Sequence, residues 1–107
     1  MRKDKGERLQ RAGWKVGDAA DFLKLSPAEV TYLELRMQLG QSLFERRRSR
    51  NLSQVAVARM LGSSQSRVAK MESGDPSVSL DLLIKALLEL GVSRQELARA
   101  IGHRRTA

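Results

Sequence analysis

An all-α fold is what the 107-residue sequence predicts, on three observations. Only two prolines occur in it. Leu, Ala, Arg and Glu, all good helix formers, are abundant. Aliphatic residues recur at helical spacing behind a series of serine-led start signals. Together these predict a compact bundle of about six helices. The length suits one domain, and with 41% hydrophobic but 4% aromatic residues its core must be aliphatic.

Residues 1–13 carry Arg2, Lys3, Lys5, Arg8 and Arg11, with Leu9 as the large apolar side chain. Such a segment buries too little to offset its ordering entropy and is expected to be a mobile basic arm. Order is expected from Trp14 to Gly102, followed by a polar tail, 103–107. Asp18-Ala-Ala-Asp21 has the form of a capping box and predicts a short helix near 19–24. Ser26-Pro27-Ala28-Glu29 is a stronger start: Ser caps, Pro suits the first helical position, and Glu reaches back to the cap amide. Val30, Leu33, Met37 and Phe44, with Leu35, Leu39 and Leu43 beside them, keep helical spacing to about Arg50. Gly40 inside this helix marks close packing or a bend, and Asn51 is a left-handed stop.

Ser53 precedes a helix over 54–61, Gly62-Ser63 breaks it, and Ser64 precedes another over 65–73. After the turn Gly74-Asp75-Pro76, Ser79 opens a helix to Leu90. Its apolar side is Leu80, Leu83, Ile84, Leu87 and Leu88. Ser93-Arg94-Gln95-Glu96 is a second capping box; Leu97, Ala98 and Ile101 follow, and Gly102 ends the last helix. The middle pair has a particular pattern. Two helices crossing at a wide angle need a small side chain at closest approach, which Ala58 supplies. Gly62 adopts positive φ without a Cβ penalty, and Val68 folds back onto the first helix with Val57, Leu61 and Met71. This is a helix-turn-helix pattern.

The formal net charge is +8 and the sequence pI near 10.8. From 46 to 70 stand Arg46, Arg47, Arg48, Arg50, Arg59, Arg67 and Lys70, with no Asp or Glu. Such a stretch around a helix-turn-helix matches a phosphate backbone. No cysteine is present, which excludes disulfides and thiolate metal sites and agrees with a cytoplasmic protein. No apolar run reaches the ~18 residues of a membrane span, and no secretory segment follows Met1. Asp75, Asp81, Glu72 and Glu89 are read as caps and exposed helix positions, not a catalytic set. The single histidine, His103, lies in the tail, and Trp14 is expected to pack on Phe22 and Leu25. An enzyme is not expected, nor is a metal or cofactor.

Leu52-Ser-Gln-Val-Ala-Val-Ala-Arg-Met-Leu-Gly-Ser-Ser-Gln-Ser-Arg-Val-Ala-Lys-Met-Glu-Ser-Gly74 closely resembles the DNA-binding core of the Xre/Cro-type repressors, the family of the phage lambda repressor. The resemblance covers 39–101 and leaves 14–38 as an N-terminal extension. The wider stretch from Gly13 through Leu83 looks like a bacterial subgroup similar to HigA-type antitoxins, which accompany RelE/HigB-like toxins. The resemblance implies a lambda-repressor-like core and a sequence-specific, double-stranded DNA-binding regulator, a repressor by expectation. The alternative is an antitoxin that binds its toxin and represses its own operon. RNA binding is disfavoured, because Trp14, Phe22, Tyr32 and Phe44 all lie outside the second helix of the motif.

Within that recognition helix, Gln65, Ser66, Arg67 and Lys70 are the polar residues of the first two turns, which reach base edges in the major groove. Gln pairs with adenine N6/N7, and Arg or Lys with guanine O6/N7. The resemblance places Gln65, Ser66 and Lys70 at base-reading positions; Arg67 serves a base or a phosphate. Gln54 and Ser64, at helix starts with orphan amides, are candidate phosphate contacts. By resemblance Gln54 also braces Gln65. Ser73 stands where relatives place a longer, phosphate-contacting asparagine. The resemblance implies that Arg47 and Glu72 form a partly buried ion pair, leaving Arg46, Arg48 and Arg50 as the better candidates for phosphate contact. One recognition helix spans few base pairs, so a homodimer is expected. Its apolar contact is expected from Leu97 and Ile101 with Leu90 and Val92, or alternatively from Phe22, Leu25 or Tyr32.

Overall fold

Each of five helices begins behind a serine in the structure, a computed structural model that describes residues 24–102. They are α1 (Pro27–Ser49), α2 (Gln54–Leu61), α3 (Gln65–Ser73), α4 (Leu80–Glu89) and α5 (Arg94–Gly102), with no strand among the described residues. Ser26 and Glu29 form the reciprocal capping box expected from sequence: Glu29 Oε1 accepts from the Ser26 amide at 2.8 Å, and Ser26 Oγ from the Glu29 amide at 3.2 Å. Ser93 and Glu96 repeat it at α5, at 2.8 and 3.1 Å. Ser53, Ser64 and Ser79 cap α2, α3 and α4 through their hydroxyl oxygens. Asn51 holds φ 57° past the end of α1, as a left-handed stop requires. The basic arm 1–13, most of the helix expected near 19–24, Trp14, Phe22 and the tail with His103 lie outside the described residues.

The chain divides into units 1–34 and 35–107, and the helix-turn-helix lies in the second. There Leu39, Leu43, Val57, Val68, Met71, Leu83, Leu87 and Leu90 are almost wholly buried and form one aliphatic core, with Leu52, Leu61, Leu80 and Leu97 packed against it. Truncating such a leucine to alanine typically costs about 2–5 kcal/mol. The sequence periodicity is corrected in two places. Phe44 and Met37, expected on the main apolar stripe of α1, are only half-buried, whereas the buried residues are Arg36, Leu39, Gly40, Leu43 and Arg47. An apolar count misses this face because two of its five members are arginines and one is glycine. In α4, Leu88 is 49% exposed, and Ala86 takes the buried place beside Leu83 and Leu87.

Gly40 marks close packing rather than a bend. A Cβ there would stand 2.6 Å from the Met71 carbonyl oxygen and 2.7 Å from that of Glu72, so the backbones of α1 and α3 meet at this point. Arg36, one turn earlier, is 2% exposed. Its Nη2 donates to the carbonyls of Pro76, at 3.3 Å, and Val78. A guanidinium thus stitches α1 to the turn between α3 and α4, supplying donors to backbone oxygens that lack helix partners. Asp75 is buried in the same turn, where its Oδ1 accepts from the Ser77 amide at 2.8 Å. Leu90 and Val92, expected to contribute to a dimer, belong instead to the core of their own chain.

Candidate nucleic-acid interface

The site is built by the α2–α3 joint. Gly62, at φ 62°, reverses the chain, and the Ser63 amide closes the end of α2 on the Ala58 carbonyl at 2.8 Å. Val57 and Ala58 from α2 and Val68 and Met71 from α3 are all buried, as the sequence pattern predicts. This wedge fixes which face of α3 points outward. Gln65, Ser66, Arg67, Lys70 and Ser73 are all exposed on it. Four polar side chains in the first two turns of a short helix, held by a sealed apolar back, form a surface that donates and accepts hydrogen bonds.

One of the four is braced. Gln65 Nε2 donates to Gln54 Oε1 at 2.6 Å, and Gln54 Nε2 donates to Glu72 Oε1 at 3.0 Å. Glu72 in turn takes two parallel bonds from Arg47, Nε to Oε2 at 2.5 Å and Nη2 to Oε1 at 3.1 Å. The remaining Arg47 nitrogen, Nη1, donates to the Leu52 carbonyl at 3.0 Å. The side chains of Arg47 and Glu72 are 11% and 6% exposed, so the pair is shielded from solvent. Arg47 and Arg48 both lie over the Phe44 ring, at 5.4 and 5.6 Å from its centroid.

The basic stretch does not form one uniform face. Arg48, Arg59 and Arg67 are exposed. Arg46 is half-buried and bonded to Glu96 Oε1 on α5 at 2.7 Å. Arg50 is exposed, but its Nη1 donates to the Leu90 carbonyl at 3.1 Å. Ser64 Oγ accepts from the Arg67 amide at 3.2 Å and lies 3.4 Å from Ser66 Oγ. Ser73 Oγ donates to the Lys70 carbonyl at 3.0 Å. Sequence reasoning missed Arg36, the Arg46–Glu96 tie and the Gln54–Glu72 bond. Helical spacing held a signal for the first: Arg36, Gly40, Leu43 and Arg47 fall on one α1 face.

The Ser93 amide, first, and the Arg46 guanidinium hold the Glu96 carboxyl below its ordinary value of 4.5. The Ser26 amide and hydroxyl do the same for Glu29. Among the described residues no helix is long and apolar enough to cross a membrane.

A tight turn with left-handed glycine, a sealed wedge and a polar outward helix define a helix-turn-helix DNA-binding domain. Comparison with known families agrees. A family model described as helix-turn-helix matches residues 43–97 of the 107, just over half of the chain. The chain belongs to this Xre and lambda-repressor-like helix-turn-helix family, and it is a DNA-binding transcription regulator. The match begins within α1 and ends within α5, so Arg36 and Gly40 lie outside it. No curated protein and no solved structure shows a significant match to the chain.

Proposed function

We propose that the protein is a sequence-specific repressor that reads double-stranded DNA with α3, needs no cofactor, and binds as a homodimer. The observation that carries this reading is the outward-facing set Gln65, Ser66, Arg67 and Lys70, with Gln65 braced by Gln54 at 2.6 Å. Fixed donors and acceptors at the start of such a helix suit base edges in the major groove. Arg48 and Gln54 are assigned to phosphates. Ser64 and Ser73, whose hydroxyls engage backbone groups of α3, stay in the phosphate set with lesser roles. Arg46 and Arg50, each engaged through one nitrogen by Glu96 and the Leu90 carbonyl, keep phosphate roles through their remaining donors. The dimer contact is assigned to α5, where Ile101 is 42% exposed beside half-buried Leu97.

Selection of bound duplexes from a randomised pool tests this reading. It predicts a two-fold symmetric sequence with half-sites about one helical turn apart, ~34–36 Å. Single unpaired half-sites, with a monomer in sedimentation, would remove the dimer; no enrichment at all would remove sequence reading.

A second activity, neutralising a toxin protein, is supported by the resemblance of the stretch from Gly13 through Leu83 to HigA-type antitoxins. Exposed Tyr32 on α1 lies within that stretch. Co-expression with the product of an adjacent small reading frame tests it. A stable co-purified complex is expected, and two independently migrating proteins would remove it.

A further inference from the structure

The chain of hydrogen bonds Arg47–Glu72–Gln54–Gln65 has a direction. A carboxylate paired with a guanidinium accepts and donates nothing. Both Glu72 oxygens accept from Arg47, and Oε1 also accepts from Gln54 Nε2. The Gln54 amide therefore turns its nitrogen inward and its carbonyl oxygen toward Gln65. That oxygen requires a donor, and Gln65 gives it one N–H. Gln65 is left with one N–H and one carbonyl oxygen. If position 72 were not a pure acceptor, both glutamine amides could turn over together and keep every bond, since an amide is nearly symmetric in shape.

We infer that Glu72, too buried to touch a base, is a specificity-determining positioning residue that fixes the amide polarity of Gln65 through Gln54. This rests on the base-reading role proposed for Gln65. A side chain with one donor and one acceptor left matches adenine, whose major-groove edge offers the N7 acceptor and the N6 donor. It mismatches guanine, which offers two acceptors, N7 and O6. Glu72→Gln keeps the shape but replaces one acceptor oxygen with a nitrogen; in the place of Oε1 that nitrogen gives up the bond from Arg47 Nη2 and can donate to Gln54 Oε1. Gln54 then turns its nitrogen to Gln65, whose amide turns over in response: its oxygen accepts from Gln54, and both its N–H groups are free beside the second oxygen lone pair. Guanine becomes as good a partner as adenine.

The test uses the full-length chain. Duplexes are selected from a pool with a randomised central segment, and the base pair whose preference disappears in Gln65→Ala is identified. Affinities are then measured for the four duplexes that differ only at that pair. The wild-type protein is expected to favour adenine over guanine by about 5- to 150-fold, and Glu72→Gln to bring the two within about twofold or to invert them. An unchanged ratio, an equal loss on all four duplexes, or a wild-type preference for guanine overturns the inference. Should Glu72→Gln fail to fold, the wild-type protein still decides the matter through couplings across its hydrogen bonds. Couplings from Gln54 Nε2 to Glu72 Cδ and from Gln65 Nε2 to Gln54 Cδ are expected; a coupling from Gln54 Nε2 to Gln65 Cδ overturns the assignment. These couplings are read without DNA. If they are present and no selected base pair depends on Gln65, it is the base-reading role that has failed.

Discussion

Arg47 and Glu72 join the end of α1 to the recognition helix through two parallel hydrogen bonds, 2.5 and 3.1 Å long. The guanidinium fork matches the carboxylate in geometry as well as charge. Both partners are shielded, so neither is easily replaced by water. The same carboxylate holds Gln54, so a joint between helices is also the base of the Gln54–Gln65 pair.

Arg47→Ala leaves Glu72 buried without its counter-charge and is expected to destabilise the fold by about 3–5 kcal/mol. Denaturant unfolding monitored by circular dichroism measures this. The double variant Arg47→Met/Glu72→Leu is expected to recover much of the loss, because well-packed apolar pairs commonly replace buried ion pairs. An unchanged midpoint in Arg47→Ala would mean that the pair is solvated in solution.

Gly40→Ala sets two effects against each other. Alanine favours a helix interior by about 1 kcal/mol, but its Cβ would meet two backbone carbonyl oxygens inside contact distance, at 2.6 and 2.7 Å. Backbone cannot swing away as a side chain can, and overpacking of this kind costs about 1–3 kcal/mol. The net expectation is destabilisation, with α1 and α3 prised apart and Gln65 displaced. A thermal melt at or above the wild-type midpoint would contradict the close approach.

Helix starts were legible because each depends on a local signal, a serine placed before the first turn. The wedge of Val57, Ala58, Gly62 and Val68 was legible for the same reason. The buried face of α1 was not. Nothing local marks Arg36 as buried until the carbonyls of Pro76 and Val78 are brought beside it by contacts distant in sequence, and Arg47 is placed against Glu72 by the family resemblance rather than by any local signal. Leu88 and Ala86 show the converse limit, since spacing names a helix face without fixing how far it is covered. The basic stretch 46–70 was read as a phosphate-binding surface. Its division into exposed arginines and arginines engaged by Glu96 and Leu90 follows from α4 and α5 packing, which one-dimensional charge does not encode.

Gln65→Ala and Arg48→Ala are expected to fail differently. The first is expected to cost roughly 1–3 kcal/mol on the selected duplex and to relax preference at one base pair. The second is expected to weaken all duplexes alike and to lower the salt slope. Binding isotherms on selected and scrambled duplexes distinguish them, and identical behaviour would contradict the assigned roles.

Acid is expected to loosen the start of α5. A carboxyl held below its ordinary value in the folded chain contributes stability above the ordinary carboxylate range and loses it as pH falls through the folded value. Glu96 is such a group, held mainly by the Ser93 amide and secondarily by Arg46. Amide exchange at the first turn of α5, corrected for intrinsic rates, is expected to accelerate below pH 4.5. Glu96→Gln is expected to abolish most of that dependence. A dependence identical in the variant would place the titrating group elsewhere.

Duplex binding as a function of salt, on a selected and a scrambled sequence, tests most directly the claim that α3 reads DNA with support from its basic surroundings. Affinity for both is expected to fall steeply between about 50 and 200 mM salt, as counterions released from several phosphates require, with the selected duplex tighter throughout. A flat salt response, or equal affinity for the two sequences at every salt concentration, would contradict it.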